Sequence, residues 1–492
     1  MTEQQSSYRQ IMKATSIFGG VQVFNIIISI IRSKFVAVLL GPAGMGIMGL
    51  LTSTIGIIGS LTNFGLGTSA VKDIAAAFGT NDEKRIGLII GVFRRLVWIT
   101  GLLGLTTTAI LSSWLSQLTF GNKDYTLAFV WISVALLFNQ LSSGQLVVLQ
   151  GLRKLNYLAK ANLSGSFTGL FITVPLYYFL GLDGIVPGII ATAILSLLMS
   201  WYFSGKVEIE KATLSRMLIF TEGKNMLKMG FMISLSGLMT IGASYIIRIF
   251  ISRTDSIEQV GLYNAGFAII NTYVSLIFTA MATDYYPRLS AVANDNQRCN
   301  QTINQQAEIA ILILAPIIII FLVFIKWVII ILYSNQFISV NSMIQWAALG
   351  MFFKAASWAV AFIFLAKGTT KLFFWNELIN NAYTLGLSLI GFHFWGLTGL
   401  GYAFAISYLI YMIQMVWISK IKFAFEFDQT FKTIFMIQFG LASIGFLTVN
   451  YIDQPYKYIA GIILIGISGF YSVRELNKRL GLLNLVKNFR QR

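Results

Sequence analysis

The sequence predicts an all-α protein that crosses a membrane many times, and three observations support this prediction. Of the 492 residues, 56% are hydrophobic and only 11% are charged, whereas a soluble domain carries about 25% charged residues. The apolar runs are long and continuous, which favours helices over the alternating strands of a β-barrel. The chain also holds 43 glycines and only 6 prolines, and small residues allow membrane helices to pack closely.

Two six-helix lobes followed by two further helices are the predicted arrangement. At about 20 residues for each span, the chain accommodates about 14 spans. The polar segment 206–228 is predicted to connect an N-lobe (1–205) to a C-lobe (229–420) as an amphipathic segment on the membrane face. Residues 421–492 are predicted to hold two more spans and a basic tail. The predicted spans cover about 14–40, 45–70, 86–115, 127–150, 158–180, 185–203, 230–251, 261–286, 308–333, 343–366, 372–392, 397–419, 434–451 and 458–473.

The net charge of +17 is explained by the positive-inside rule rather than by nucleic-acid binding. With the N-terminus inside, about 26 of the 36 Lys and Arg residues fall in inside loops and tails, and about 3 fall in outside loops. This bias predicts that both termini are cytoplasmic. It leaves seven cations within the predicted spans, namely Arg32, Lys34, Arg94, Arg95, Arg248, Lys326 and Lys354.

The scarcity of cysteine and histidine excludes several kinds of site. The single cysteine, Cys299, excludes an internal disulfide and a cysteine-based metal cluster. The single histidine, His393, excludes a His-rich metal site, so no metal or organic cofactor is expected. The polar N-terminus 1–10 and the long first apolar run lack the pattern of a cleavable signal peptide.

An internal repeat is indicated by two pairs of segments. Residues 149–166 and 365–382 each contain a glycine that ends a span, a basic turn and a span with an asparagine. Residues 179–192 and 394–407 then share the pattern Gly-Leu-x-Gly and a helix rich in small residues. Helices one to six and seven to twelve are therefore interpreted as parallel repeats, the architecture of many rocking transporters. The alternative is chance resemblance between glycine-rich turns.

Cations at membrane depth are the strongest candidates for a functional site, above all Lys34, Arg248 and Lys354. A charge at the centre of a span costs about 2.5–3.5 kcal/mol on insertion scales, so it usually faces water or a partner. Because helices one and seven are equivalent in the repeat, their cations are predicted to line one cavity between the lobes. A basic cavity suits a diphosphate, since Coulomb attraction strengthens where water is excluded. Arg32 lies two positions from Lys34 and points elsewhere, so one of this pair is expected to snorkel.

Snorkelling to an interface is the alternative for every one of these cations. It is the preferred interpretation for Arg94, Arg95 and Lys326, and it is left open for Arg248. Lys354 lies deepest in its predicted span, which favours the cavity there.

Two acidic residues near the inner ends of predicted spans, Asp284 and Glu377, are candidates for binding a coupling H⁺ or Na⁺. Ordinary pairing at the interface, with Arg288 or Lys371, is the preferred interpretation for both.

Several motifs in order resemble one transporter family. They read LLGPAGMGIMGLL, LTFGNKDY, VGLYNAGFAIINTYVSLIFTAMATDYYPRLS, ILYSNQF and LAKGTTKLFFWNELI. The chain resembles the O-antigen and enterobacterial-antigen flippases, the polysaccharide branch of the multidrug/oligosaccharidyl-lipid/polysaccharide exporter superfamily. The resemblance covers most of residues 1–420, and the family carries basic residues at the positions of Lys34, Arg248 and Lys354. The two additional C-terminal spans are a feature of the lipid II flippases of the superfamily.

The resemblance implies a transporter of the bacterial inner membrane rather than an enzyme. It implies alternating access and movement of an undecaprenyl-diphosphate-linked oligosaccharide to the periplasmic leaflet. The oligosaccharide would serve the assembly of lipopolysaccharide, including O-antigen, or of another surface polysaccharide. The partners that the resemblance implies are membrane lipid and a polysaccharide polymerase. A lipid II-type flippase and a cation-coupled multidrug antiporter remain alternatives within the superfamily. A membrane glycosyltransferase or polymerase is disfavoured, because the predicted outer loops are short and nearly uncharged.

Overall fold

The computed structural model describes residues 24–80, 82–210 and 216–480, and within these ranges it contains helices and turns but no β-strand. The prediction of an all-α protein is therefore confirmed. The predicted start of the first span, at 14–23, and most of the basic tail lie outside the described residues.

The chain divides into two compact units, Met1–Gly261 and Leu262–Arg492. The helices of the first unit are α1 (24–39), α2 (Gly41–Asn63), α3 (Leu66–Gly79), α4 (Glu83–Ile110), α5 (Ser112–Phe120), α6 (Thr126–Gly151), α7 (Leu155–Leu180), α8 (Ile185–Gly205) and α9 (Arg216–Thr254). Helix α10 (Ile257–Ala291) begins in the first unit and continues in the second. The second unit then contains α11 (Asn296–Leu332), α12 (Asn341–Ala366), α13 (Thr370–Phe423), α14 (Gln429–Tyr451) and α15 (Tyr456–Leu480).

The lengths of these helices agree with about 14 spans. Nine helical stretches of the described residues are long and apolar enough to cross a membrane. Two of them, Leu155–Gly205 with 51 residues and Thr370–Phe423 with 54, exceed twice the roughly 20 residues that one crossing needs. Each therefore has the length of two spans, which raises the number to eleven. Helices α9 and α10, with 39 and 35 residues, are also long enough to cross, and the first predicted span is described only in part, as α1. The chain is a polytopic helical membrane protein.

In the first unit, α6 packs against α4 and α8, and α7 packs against α8. Helix α9 packs against α2, α3, α4 and α5. The buried Tyr245 of α9 shows how this packing is fixed, because its hydroxyl lies 3.1 Å from the Thr54 hydroxyl of α2 and 2.7 Å from the Thr119 hydroxyl of α5. In the second unit, α12 packs against α13, and α11 packs against α12, α14 and α15.

The second predicted span is interrupted in the structure. Helix α2 ends at Asn63, and both Phe64 (φ 51°) and Gly65 (φ 62°) adopt the left-handed conformation before α3 begins. A side chain at Gly65 would lie 2.1 Å from the carbonyl oxygen of Gly230 in α9. The break therefore depends on close backbone packing between distant helices, which the hydropathy of 45–70 does not report.

Three further boundaries differ from the sequence prediction. Span eight was predicted to end at Pro287, but Pro287 lies inside α10, which continues to Ala291. The loop predicted around Cys299 is the first turns of α11, which Asp295 caps by accepting hydrogen bonds from the amides of Gln297 and Arg298. Residues 216–228 of the predicted connector are part of α9, while 207–210 are not helical. The predicted lobe boundaries themselves stay a prediction.

The internal repeat is visible in the backbone at a constant separation of 215 positions. Gly181, between α7 and α8, has φ 57° and ψ −131°, and Gly396, which divides α13, has φ 56° and ψ −140°. At the turns that precede these helices, Arg153 and Gly368 both have positive φ (55° and 69°). The backbone amide of the next residue, Lys154 or Thr369, donates a hydrogen bond to the carbonyl oxygen five positions earlier. Glycine identity in the sequence pairs Gly151 with Gly368, whereas the backbone conformation pairs Arg153 with Gly368.

Candidate functional site

Arg32 lies in the first unit, where its guanidinium points towards α7. Its Nη2 lies 3.4 Å from the carbonyl oxygen of Ser166, and 3.2 Å from the position of a Cβ built on Gly169. Its Nε is buried and has no hydrogen-bond partner among the described residues. Arg32 is therefore half-buried against protein, with one donor still available.

Lys34 and Arg248 also lie in the first unit and are half-buried. Arg248 is held by its own helix, because its Nη1 donates to the carbonyl oxygen of Ser244 at 3.0 Å and to the Ser244 hydroxyl at 2.5 Å. These contacts fix the direction of the guanidinium and occupy one of its two terminal nitrogens.

Lys354 lies in the second unit, at the centre of α12. Its Nζ lies 5.1 Å from the ring centre of Tyr408 and 5.7 Å from that of Phe404, both in the second half of α13. Within 24–80, 82–210 and 216–480, no carboxylate forms an ion pair with this ammonium. Aromatic faces attract cations, so Tyr408 and Phe404 hold the Lys354 side chain at the centre of α12 without supplying an opposite charge.

Glu377 lies in the first half of α13, and its carboxylate accepts a hydrogen bond from the buried Tyr411 hydroxyl. The backbone carbonyl of Glu377 accepts from the Asn381 side chain at 2.8 Å. The Tyr383 hydroxyl in the same helix is buried without a hydrogen-bond partner among the described residues. Neither Lys371 nor Arg288 forms an ion pair with Glu377 in the described part of the chain, so its surroundings differ from the predicted interface pairing.

The structure brings Lys354 and Glu377 into one polar patch of the second unit. The Lys354 ammonium lies over the ring of Tyr408, whose centre is 6.4 Å from that of the Tyr411 ring. The Tyr411 hydroxyl in turn donates a hydrogen bond to the Glu377 carboxylate. The sequence analysis missed both tyrosines. Their spacing of three positions in α13 was a usable signal, because residues three apart share one face of a helix.

The remaining candidates lie at exposed positions. Asp284 is exposed and lies 3.9 Å from Arg288, the pairing that the sequence analysis preferred. Lys326 is exposed, as snorkelling requires. Arg94 and Arg95 are exposed as well, and Arg94 donates to the Gln145 side chain at 3.4 Å. A cavity that unites Lys34, Arg248, Lys354 and Arg32 stays a prediction.

Comparison with known families gives this arrangement a context. The profile of a family described as polysaccharide biosynthesis protein matches residues 35–342, more than half of the chain. The chain belongs to this family. The lipid III flippase of Escherichia coli (strain K12) is 21% identical over 388 residues, which cover 77% of this chain and 90% of that protein. The lipid III flippase of Shigella flexneri matches equally.

Solved structures of low sequence identity share the fold. The lipid II flippase MurJ in an inward closed conformation matches with a TM-score of 0.68 at 14% identity, over 95% of this chain and 99% of that one. An inward-facing multidrug resistance transporter of the MATE family of the MOP superfamily matches with a TM-score of 0.66 at 17% identity, over 83% of this chain and 96% of that one. The similarity in fold to MurJ thus extends over nearly all of this chain.

Proposed function

We propose that this protein is a flippase that moves an undecaprenyl-diphosphate-linked oligosaccharide from the cytoplasmic to the periplasmic leaflet by alternating access. The observation that carries the proposal is Lys354, a cation at the centre of a span that rests on two aromatic rings. A charge there is costly unless it serves a partner, and a diphosphate supplies the opposite charge. Membership of a polysaccharide biosynthesis family and relatives named as lipid III flippases support a lipid-linked glycan as the cargo.

The finer proposal is a substrate of O-antigen or related surface polysaccharide assembly in the bacterial inner membrane, delivered to a polysaccharide polymerase. Lipid II is the competing cargo, because the fold shared with the lipid II flippase MurJ covers 95% of this chain. The two cargoes differ in their glycan and share the lipid diphosphate, so one competition assay with both lipids decides between them.

Charge removal at Lys354 tests the cationic mechanism. We expect Lys354→Met to lower the affinity of the purified protein for undecaprenyl diphosphate at least about tenfold, since a charge-assisted contact to phosphate is lost. Lys354→Arg should retain most of the affinity. Lys326→Met is the matched control, because it removes an exposed cation of a neighbouring span.

The same variants should be followed in cells. Lys354→Met should abolish surface glycan while the protein stays in the membrane at the wild-type amount. Normal surface glycan in this variant would contradict the proposed mechanism, and efflux of cationic drugs by the wild-type protein would favour the multidrug antiporter instead.

We also propose that Glu377, rather than the exposed Asp284, carries the coupling H⁺. A carboxyl group that is half-buried and hydrogen-bonded by Tyr411 can take up and release a proton within the span. In proteoliposomes, Glu377→Gln should lose the stimulation of lipid translocation by an imposed pH gradient, while Asp284→Asn should keep it. Unchanged stimulation in Glu377→Gln, or stimulation by Na⁺ alone, would exclude this role.

A further inference from the structure

The first unit contains a second polar feature that the cations do not explain. A cavity of about 360 Å³ lies between α2, α6 and α8, at the small end of the roughly 300–1,000 Å³ range of ligand pockets. Among the described residues that line it, none is charged. Its polar groups are hydroxyls and amides instead, at the centres of two membrane-spanning helices.

Two glycines open this cavity on the α2 side. A Cβ built on Gly56 or on Gly59 would meet no other atom within 4 Å. Gly101, Gly104 and Gly144 differ, because a Cβ on each of them would contact a neighbouring helix at less than 3.0 Å. At Gly56 and Gly59 the missing side chains leave room that belongs to the cavity, so a larger side chain at either position would occupy it.

Hydrogen-bonding groups face the same space from α6. Gln140 is fixed in place, because its amide donates to the Asn63 side chain at 2.9 Å and to the Thr100 hydroxyl at 3.2 Å. Asn139 and Ser143, by contrast, are exposed to the cavity and form no hydrogen bond within the described part of the protein. An amide and a hydroxyl each offer both donors and acceptors.

The chemistry of this lining selects the ligand. A phosphate would find no cation here, and a hydrocarbon chain would leave the Asn139 and Ser143 side chains without hydrogen-bond partners, which is unfavourable for polar groups removed from water. A neutral ligand with closely spaced hydroxyls fits both conditions. Sugars are such ligands, and the volume suits one or two rings.

We infer that this uncharged cavity binds the glycan of the lipid-linked substrate, as a site separate from the cations that attract the diphosphate. The inference rests on the proposed function and adds to it a division of labour. The cations recognise the diphosphate that all such lipids share. The amides and hydroxyls of α2 and α6 recognise the sugar and so determine which lipid-linked glycan is preferred.

The experiment compares two lipids on the purified full-length protein. One probe is undecaprenyl diphosphate, and the other is the same lipid carrying N-acetylglucosamine. The wild-type protein should bind the sugar-bearing lipid more tightly. Gly56→Leu should fill the cavity and lower affinity for the sugar-bearing lipid about tenfold, and Asn139→Leu should lower it about three- to tenfold. Neither should change affinity for the sugar-free lipid.

A matched control is Gly466→Leu in α15, since Gly466 is also an exposed helix glycine whose Cβ would meet nothing within 4 Å. It should leave both affinities unchanged. Asn139 is exposed, so its variant keeps the test valid if Gly56→Leu does not fold. Binding of neither lipid by the wild-type protein would overturn the proposed function. Equal binding of both lipids, or variants that keep the wild-type preference, would overturn only the glycan site.

Discussion

At the scale of single residues, the buried carboxylate of Glu308 in the second unit is satisfied by a specific partner. Arg479 in α15 bonds two carboxylates, with Nε 2.6 Å from Glu308 in α11 and Nη1 2.6 Å from Glu475 one turn earlier. The Glu308 side chain is only 7% exposed. Arg479 was assigned to the basic tail by its sequence, but its position in a helix makes it the group that joins α15 to α11.

We expect Arg479→Met to destabilise the protein by about 3 kcal/mol, because removing one partner leaves a buried carboxylate without its counter-charge. Thermal unfolding of the purified protein measures this. The double variant Arg479→Met/Glu308→Gln should recover part of the loss, since it removes the stranded charge. If the double variant is no more stable than the single one, the effect belongs to packing of the arginine side chain.

At the scale of elements, the first turns of α2 and α10 meet through glycines in a reciprocal contact within the first unit. A Cβ on Gly46 would lie 2.0 Å from the carbonyl oxygen of Ile257, and one on Gly261 would lie 1.9 Å from that of Pro42. Gly46 and Gly261, like Pro42 and Ile257, are 215 positions apart, the separation that relates the repeats. Only glycine permits backbones to approach this closely.

Gly46→Ala and Gly261→Ala should each destabilise the protein by about 1–3 kcal/mol, since the added methyl group forces the helices apart. Gly242→Ala in α9 is the control, because its Cβ would meet nothing within 4 Å. That change should be neutral or stabilising by up to about 1 kcal/mol through helix propensity. Melting temperatures measured in one detergent compare the three variants, and equal values for Gly46→Ala and Gly242→Ala would contradict the reported contact.

The elements also show what the sequence can and cannot predict. Long apolar runs located the spans, because the membrane requires their length and composition. The break at Phe64 was not predicted, because the left-handed backbone conformation of Phe64 is stabilised by packing against α9, which lies far along the chain. For the same reason the Glu377 and Tyr411 pair was missed, as its members are 34 residues apart. Lys354 was found because a lone charge in an apolar run needs no partner to be noticed.

At the scale of the whole molecule, the repeat extends from sequence pattern to backbone conformation. A Cβ built on Gly184 would lie 2.5 Å from the carbonyl oxygen of Leu176, and one built on Gly399 would lie 1.8 Å from that of Gly391. Gly184 and Gly399 are 215 positions apart, and so are Leu176 and Gly391. The same tight turn therefore joins α7 to α8 and the first half of α13 to its second half, with the backbones of the joined helices in close contact. Since each repeat contains an even number of predicted spans, both repeats are expected to insert with the same orientation.

Orientation can be tested with cysteine chemistry, because the single native cysteine, Cys299, is buried. In a Cys299→Ser background, we expect Lys123→Cys and Asp453→Cys to react with a membrane-impermeant maleimide in cells whose outer barrier is opened. Asn294→Cys and Gln429→Cys should react only after the membrane is permeabilised. All four positions are exposed, so access to reagent, not burial, decides the result. The expectation follows from the charge bias, since loops rich in Lys and Arg stay in the cytoplasm. Labelling of Asn294→Cys before permeabilisation would reverse the orientation, and with it the direction of transport.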